Sequence, residues 1–565
     1  MAGNILTPLA LWKNFSLDQV PTFEIIEEKR VKGILISEIY IHGRETEDGR
    51  VKIHCVWARK TQISEAPAVV VASDLKYGAD FNFAVKLAEK GYVALAVDIG
   101  GKVFDDRFNK QRYTVYPPSL SYANYDDKVD EGLSIEGEVV KTGWYERSVA
   151  LRYAVKFIKA QKIVGKVGAV GLFGGATALW HCAAFEELAC AAIIGNAGWQ
   201  GYRGIPKFGD TPEPQFNDDE LKFIAGIDPQ SYAMHVKCPT LILSPTNSAQ
   251  YDMDRAADTV SRINDKIYTS LDYSIGSREE VDFSCFNDCM AFFDEFLLKG
   301  GNGDALPKSP TLKCSLKDGI LNAEVTVAKN KLKDVSVYVS EEEVRPSLRS
   351  WEKVSKSEEI KDGVFAFNYI PYDGSKKVFL FARAVYEGGI GTSSVVLSRT
   401  LKDGDYKDGK NRVYYSSPLS TGVTDFYEAN EGDGTIFGLK SEKASGITLK
   451  KGTMDLIGLY SECGLLTFKI NEEKYKPIDG SMFMFDVCVI SGGNLNVKLV
   501  TDYFGDKREY IAAVKTFGEG VWQNVKLELN NFKTKDGMGI KSYRDVQAME
   551  FVSDGAFLLN NFLWV

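Results

Sequence analysis

Apolar and polar positions along the first 300 residues change period repeatedly. Apolar runs at 67–72, 91–98, 188–195 and 239–244 predict strands covered on both faces, as in a parallel sheet. Between and after them, residues 80–90, 142–161 and 282–298 repeat with helical period. Strands alternating with helices predict a doubly wound α/β domain spanning residues 1–300. Ahead of its centre, strands at 31–43 and 50–59 flank the turn Glu45-Thr-Glu-Asp-Gly49, which suits a hairpin. Residues 1–30 read as an irregular arm, and a long loop at 99–140 carries Tyr113, Tyr116, Tyr122 and Tyr125.

The pattern changes at 300–310, where Gly, Pro and polar residues mark a linker. From 308 to 401 short strands alternate in period two, as in Asn322-Ala-Glu-Val-Thr-Val-Ala328, and predict an immunoglobulin-like β-sandwich. Residues 402–410 are a second polar linker without the spacing of a calcium loop. From 415 to 565 many short strands, among them Met482-Phe-Met-Phe-Asp-Val-Cys-Val-Ile490, predict a two-sheet β jelly roll.

Charge narrows the partners. A net charge of -9 argues against nucleic acid, which is held by Lys and Arg patches. No apolar run approaches the roughly 18 residues that mark a membrane-spanning helix. The first residues lack the basic stretch and cleavage site of a signal peptide, so the default expectation is cytoplasmic, with the compartment otherwise unassigned. The nine cysteines are odd in number and scattered, and Cys285 and Cys289 have no second His or Cys pair beside them. Buried free thiols are expected, with no metal and no cofactor.

The chemistry should lie at Gly171-Leu-Phe-Gly-Gly175, between an apolar strand and a helix. This is the G-x-S-x-G spacing of a nucleophile elbow, with phenylalanine in place of the serine. Phe173 has no atom that attacks a carbonyl. Of the four histidines, His42 and His54 fall on N-terminal strands, His181 on the helix behind the elbow, and His235 at the amino end of a strand. Cys182 shares the buried helix and shows no activating partner.

Several segments in order resemble a bacterial family of α/β hydrolases akin to acetyl-xylan esterases and dipeptidyl-peptidase-like esterases. They are Gly143-Trp-Tyr-Glu-Arg147, the elbow through Trp180, Gly195-Asn-Ala-Gly-Trp199, Ile227-Asp-Pro-Gln230, Lys237-Cys-Pro-Thr240, Met253-Asp-Arg255 and the closing helix, with Arg349-Ser-Trp351 a weak extension. The resemblance implies an α/β-hydrolase fold over roughly 30–300 and places the nucleophile at Phe173. It places the acid at Ser248, the base at Ile275 or Gly276, and the oxyanion loop at Ser73 and Asp74. None of these residue types can do the corresponding work. A catalytically silent hydrolase relative is the expected outcome. An esterase with a relocated nucleophile, and an assembly protein unrelated to sugar, are the alternatives.

The last region resembles carbohydrate-binding jelly rolls through Gly518-Glu-Gly-Val-Trp522 and the segment running to Phe532. Trp522 and Phe532 read as core. Asp502, Tyr503 and Tyr510, around a polar turn, are the candidate ligand-binding residues, because aromatic faces stack on sugar rings and carboxylates bond hydroxyls. The expected partner is a glycan or another protein, with oligomerisation left open.

Overall fold

The computed structural model describes residues 5–103, 110–210, 212–274, 283–354, 356–372, 376–402, 411–417, 425–429, 447–462 and 464–565. Ile275, Gly276 and Cys463 lie outside them.

The first region is one sheet of nine strands among the described residues. They are β1 (Phe23–Val31), β2 (Ile34–Thr46), β3 (Gly49–Lys60), β4 (Ala66–Ala72), β5 (Val93–Val97), β6 (Val164–Leu172), β7 (Cys190–Ile194), β8 (Thr240–Pro245) and β9 (Thr269–Ser274). Their order is β1-β2-β3-β5-β4-β6-β7-β8-β9. Strands β1, β2, β3 and β5 pair antiparallel, and β5 through β9 pair parallel. The parallel strands are buried on both faces, which is why they read as unbroken apolar runs. Helices Gly143–Lys159 and Gly174–Phe185 cover one face; Phe81–Glu89 and Phe283–Phe293 cover the other. The last of these continues as a π-helix, Asp294–Leu298.

The N-terminal arm is more regular than its sequence suggests. A helical turn, Pro8–Trp12, buries Leu11 and Trp12 in the core, and β1 pairs along β2. Strand β1 was illegible because it is an edge strand, almost wholly exposed and rich in charge, so it has no buried face to impose alternation. The tyrosine-bearing loop is packed rather than open. Tyr116 and Tyr125 are buried, and Arg147 holds the segment by donating to Ala123 O, Asn124 O and both oxygens of Asp130.

Residues 311–400 form a four-stranded and a five-stranded antiparallel sheet around one core, consistent with a β-sandwich. Residues 413–564 form a six-stranded and a five-stranded sheet that enclose a second core. Buried polar contacts join the regions. Arg349 pairs with Asp254 through two bonds of 2.6 and 2.7 Å, both side chains fully buried. Arg383 grips Asp272 at 2.7–3.2 Å, and Ser393 donates to the same carboxylate. Farther on, Ser340 donates to Glu472 at 2.8 Å.

Candidate functional site

The elbow is fully formed around Phe173. Strand β6 ends at Leu172 and the helix begins at Gly174, so Phe173 alone makes the turn, at φ 47 and ψ -108. Such a conformation is strained for any residue with a side chain and is the one that lifts a nucleophile above a sheet. The flanking glycines allow it. A Cβ on Gly171 would sit 2.8 Å from Leu179 Cβ and Ala176 Cα, and a Cβ on Gly175 would sit 2.4 Å from two main-chain oxygens of Ala72 and Ser73. The spacing thus encodes close strand–helix contact and says nothing about the residue at the tip.

The Phe173 ring does not project into open space. It is 6% exposed, lies 6.0 Å from the Tyr251 ring and rests on the main chain of Gly195, where a Cβ would approach it to 2.3 Å. Gly195 has φ +86, so glycine is doubly required there. The next residue, Asn196, bonds Thr177 Oγ1 and accepts from Gly198 N–H. Asp228 accepts from the N–H groups of Trp199 and Gly201, and burial raises its carboxyl to about 6. The spacing of these segments is therefore accounted for by packing.

A carboxylate stands at the oxyanion position. Asp74 accepts from its neighbour Leu75 N–H at 2.7 Å, and its Oδ1 lies 3.3 Å from the point where a Cβ on Gly174 would stand. Burial raises the Asp74 carboxyl above its usual range, and the main chain of Leu75 and Gly174, with Lys76 and Lys110 nearby, pulls it back only in part. Ser73 Oγ accepts from Asp80 N–H, which places it at the start of the next helix. Lys110, which sequence reasoning missed, ties the loop down by donating to Leu75 O, Gly101 O and Asp98. No local pattern in the sequence marks that contact.

The remaining catalytic positions carry structural roles. Ser248 Oγ accepts from Gln250 and Tyr251 N–H, closing a turn. Asn247 beside it donates to Arg349 O and Ser347 O. Tyr273 is buried and donates to Met253 O, and the two positions after Ser274 lie outside the described residues. His181 bonds Ser148 Oγ and Ile227 O, stacks on Tyr232, and is held by burial at about 3, so it stays neutral. Burial raises the Cys182 thiol far above its usual value, which denies it thiolate character. His54 is 5% exposed, 3.7 Å from Glu38, and neither ring nitrogen has a hydrogen-bond partner among the described residues. His42 meets Thr22, and His235 lies against Phe185 in a shallow apolar groove at the amino end of the sheet.

The expected ligand residues of the last region do not make a platform. Asp502 and Tyr503 share one turn, but Asp502 accepts from Asp506 N–H with its own backbone at φ 47. Tyr503 is 8% exposed, edge-on to Phe468 at 5.2 Å and to Phe504 at 4.9 Å, under Lys507 at 4.8 Å. Tyr510 packs against the inter-sheet core. Phe532 is buried as expected, whereas Trp522 is half-exposed on a sheet face rather than in the core.

No group of three or more His, Cys, Asp or Glu suited to a metal occurs among the described residues, and no helix there is long and apolar enough to cross a membrane. Among the described residues seven cysteines are free, six of them buried.

The first region has similar structures among known proteins. Acetyl xylan esterase 1 from Thermoanaerobacterium sp. JW/SL YS485 is 13% identical over 49% of this chain and 88% of its own, with a TM-score of 0.39. Acetyl xylan esterase from Paenibacillus sp. R4 is 14% identical over 51% and 92%, at 0.35. A cold-adapted esterase from an Arctic intertidal metagenomic library is 14% identical over 49% and 99%, at 0.34. No curated protein matches the chain. Residues 53–265 match the model of the dienelactone hydrolase family, and this stretch of the chain is an α/β-hydrolase-type domain.

Proposed function

We propose that the dienelactone hydrolase family domain is catalytically silent and that the protein acts as a carbohydrate-associated binding or scaffold protein. One observation carries the first half: the elbow presents Phe173, and the Asp74 carboxylate stands against the glycine that follows it. Acyl transfer needs an attacking oxygen or sulfur, a base beside it, and free N–H donors for the oxyanion. The elbow supplies none of the first, and a carboxylate crowds its donor. A relocated nucleophile finds no support in Cys182, since both it and His181 are driven to their uncharged forms by burial.

The carbohydrate half rests on the resemblance of the last region to sugar-binding jelly rolls. The finer fold names, an immunoglobulin-like sandwich at 308–401 and a jelly roll at 415–565, belong to the same proposal. So do the glycan or protein partner and the domain limits. The test is incubation with p-nitrophenyl acetate and with a fluorophosphonate probe. Neither turnover above a heat-inactivated control nor labelling is expected, and stoichiometric labelling of one residue overturns the silent-domain reading.

A further inference from the structure

The six-stranded sheet of the last region has one face in the core and one turned outward. In strand Met482–Val489 the residues Phe483, Phe485 and Val487 enter the core, which puts Asp486 and Cys488 on the other face. Cys488 pairs with Trp522 on one neighbouring strand and Leu558 on the other, and Leu558 pairs with Tyr460. Trp522 and Tyr460 therefore stand at the two ends of one row across four strands.

The Trp522 ring lies down along that row. Its Nε1 donates to Thr453 O at 3.1 Å. A Cβ on Gly458 would reach Cη2 at 3.1 Å, and one on Gly452 would reach Cζ2 at 3.2 Å. Gly458 on the strand Ile457–Ser461 and Gly452 in the turn before it thus make the seat for one indole face, while the half-exposed residue keeps surface toward solvent. At the far end Lys450 Nζ sits 3.2 Å above the Tyr460 ring.

The adjacent row is polar. Asp486 accepts from Asn524 Nδ2 at 2.8 Å and from Asn561 Nδ2 at 2.6 Å, and Asn561 Oδ1 accepts from Ser416 Oγ at 2.8 Å. Asn561 lies at a register shift of its strand, with φ 47. A bulge with a left-handed asparagine re-aims a side chain at a local cost, and such strain collects where side chains must be placed. Here it directs a second amide onto the carboxylate. Asn524 is exposed, so its carbonyl is open to solvent.

We propose that this face binds a pyranose ring of a glycan, with Trp522 as the stacking platform and the Asp486–Asn524–Asn561 network bonding its hydroxyls. The inference rests on the carbohydrate association proposed above and moves the site from the Tyr503 turn to the opposite sheet. An apolar ring face beside preset planar amides and a carboxylate matches the alternation of C–H and O–H groups on a sugar. A protein-docking core would instead be depleted of charge, whereas Asp486, Lys450 and Lys526 stand on or beside this face.

The test is calorimetric titration of the full chain with xylohexaose, cellohexaose and laminarihexaose, paralleled by tryptophan fluorescence. At least one hexaose should bind. Trp522→Ala and Asn524→Ala should each weaken it at least about tenfold, and Phe173→Ala should leave it unchanged. Asn524 is exposed, so N524A should melt like the parent and keeps the test open even if W522A folds poorly. Binding that survives both substitutions overturns this site and leaves the carbohydrate association standing. Failure of all three hexaoses to bind overturns both. Self-association that W522A abolishes, with no hexaose bound, overturns the proposal in favour of a protein interface. Hydrolysis of p-nitrophenyl acetate contradicts the silent domain alone.

Discussion

The Asp74 carboxylate lies against Gly174, its Oδ1 3.3 Å from the point where a Cβ on that glycine would stand, across 100 residues of chain, where an elbow of this kind meets an oxyanion. An acidic group there repels the negative charge that acyl transfer would develop. Phe173→Ser should consequently gain no esterase activity. Blocking one oxyanion donor alone costs about 10²–10³ in rate in working enzymes, and no histidine is bonded to the turn. The check is p-nitrophenyl acetate turnover by the variant against the parent; a clear gain would reveal a base elsewhere in the cleft.

Phe173 itself should matter for stability. Its ring fills the space between Tyr251 and the Gly195 main chain. Phe173→Ala keeps the strained φ and loses the packing, so a cost of about 3–5 kcal/mol is expected. Urea unfolding followed by circular dichroism measures it.

Asp254 and Arg349 form a pair with no exposed surface on either side. Removing one partner from such a pair leaves a buried, uncompensated charge, which costs about 3–5 kcal/mol. Asp254→Ala should show that loss in urea unfolding, and Arg349→Met should show a loss of similar size, because the guanidinium also stacks on Phe379 at 3.8 Å. A change of less than about 1 kcal/mol in both variants would mean that the pair is not buried in solution.

Burial raises Glu472 to about 8, with Glu341 and Glu352 adding to it and Ser340 and Lys474 opposing it. An unfolded glutamate titrates near about 4.3. The folded chain therefore holds this proton more tightly than the unfolded chain does. The stability it contributes is fully present at low pH and is lost as the pH rises from that value through about 8. Glu472→Gln should flatten the fall in melting temperature between pH 5 and pH 8. Parallel curves for parent and variant would contradict the raised value.

What was legible in the sequence followed from contacts near in the chain or repeated along it. The parallel strands declared themselves because both faces are buried. The elbow declared itself because Gly171 and Gly175 have no room for a Cβ, and the absence of an attacking atom at its tip was visible in one residue, Phe173. Edge strand β1 was hidden because exposure removes the alternation. That Tyr503 is buried and Trp522 lies on an outer sheet face was hidden for a related reason. A turn signal does not say which way an aromatic side chain points, and the seat of Trp522 is made by glycines 64 and 70 positions away in the chain.

The segment at 300–310 separates two architectures but not two independently removable pieces. A chain ended there would keep Asp254 and Asp272 inside the hydrolase-type domain and discard Arg349 and Arg383, the cations that neutralise them. Water would have to enter what is now packed interior to solvate both charges. The shortened chain should expose that surface and aggregate, whereas a chain ended near 401 retains both arginines. The natural cut for expressing the first domain thus lies beyond the second, and the linker marks where the topology changes, not where the cooperative unit ends.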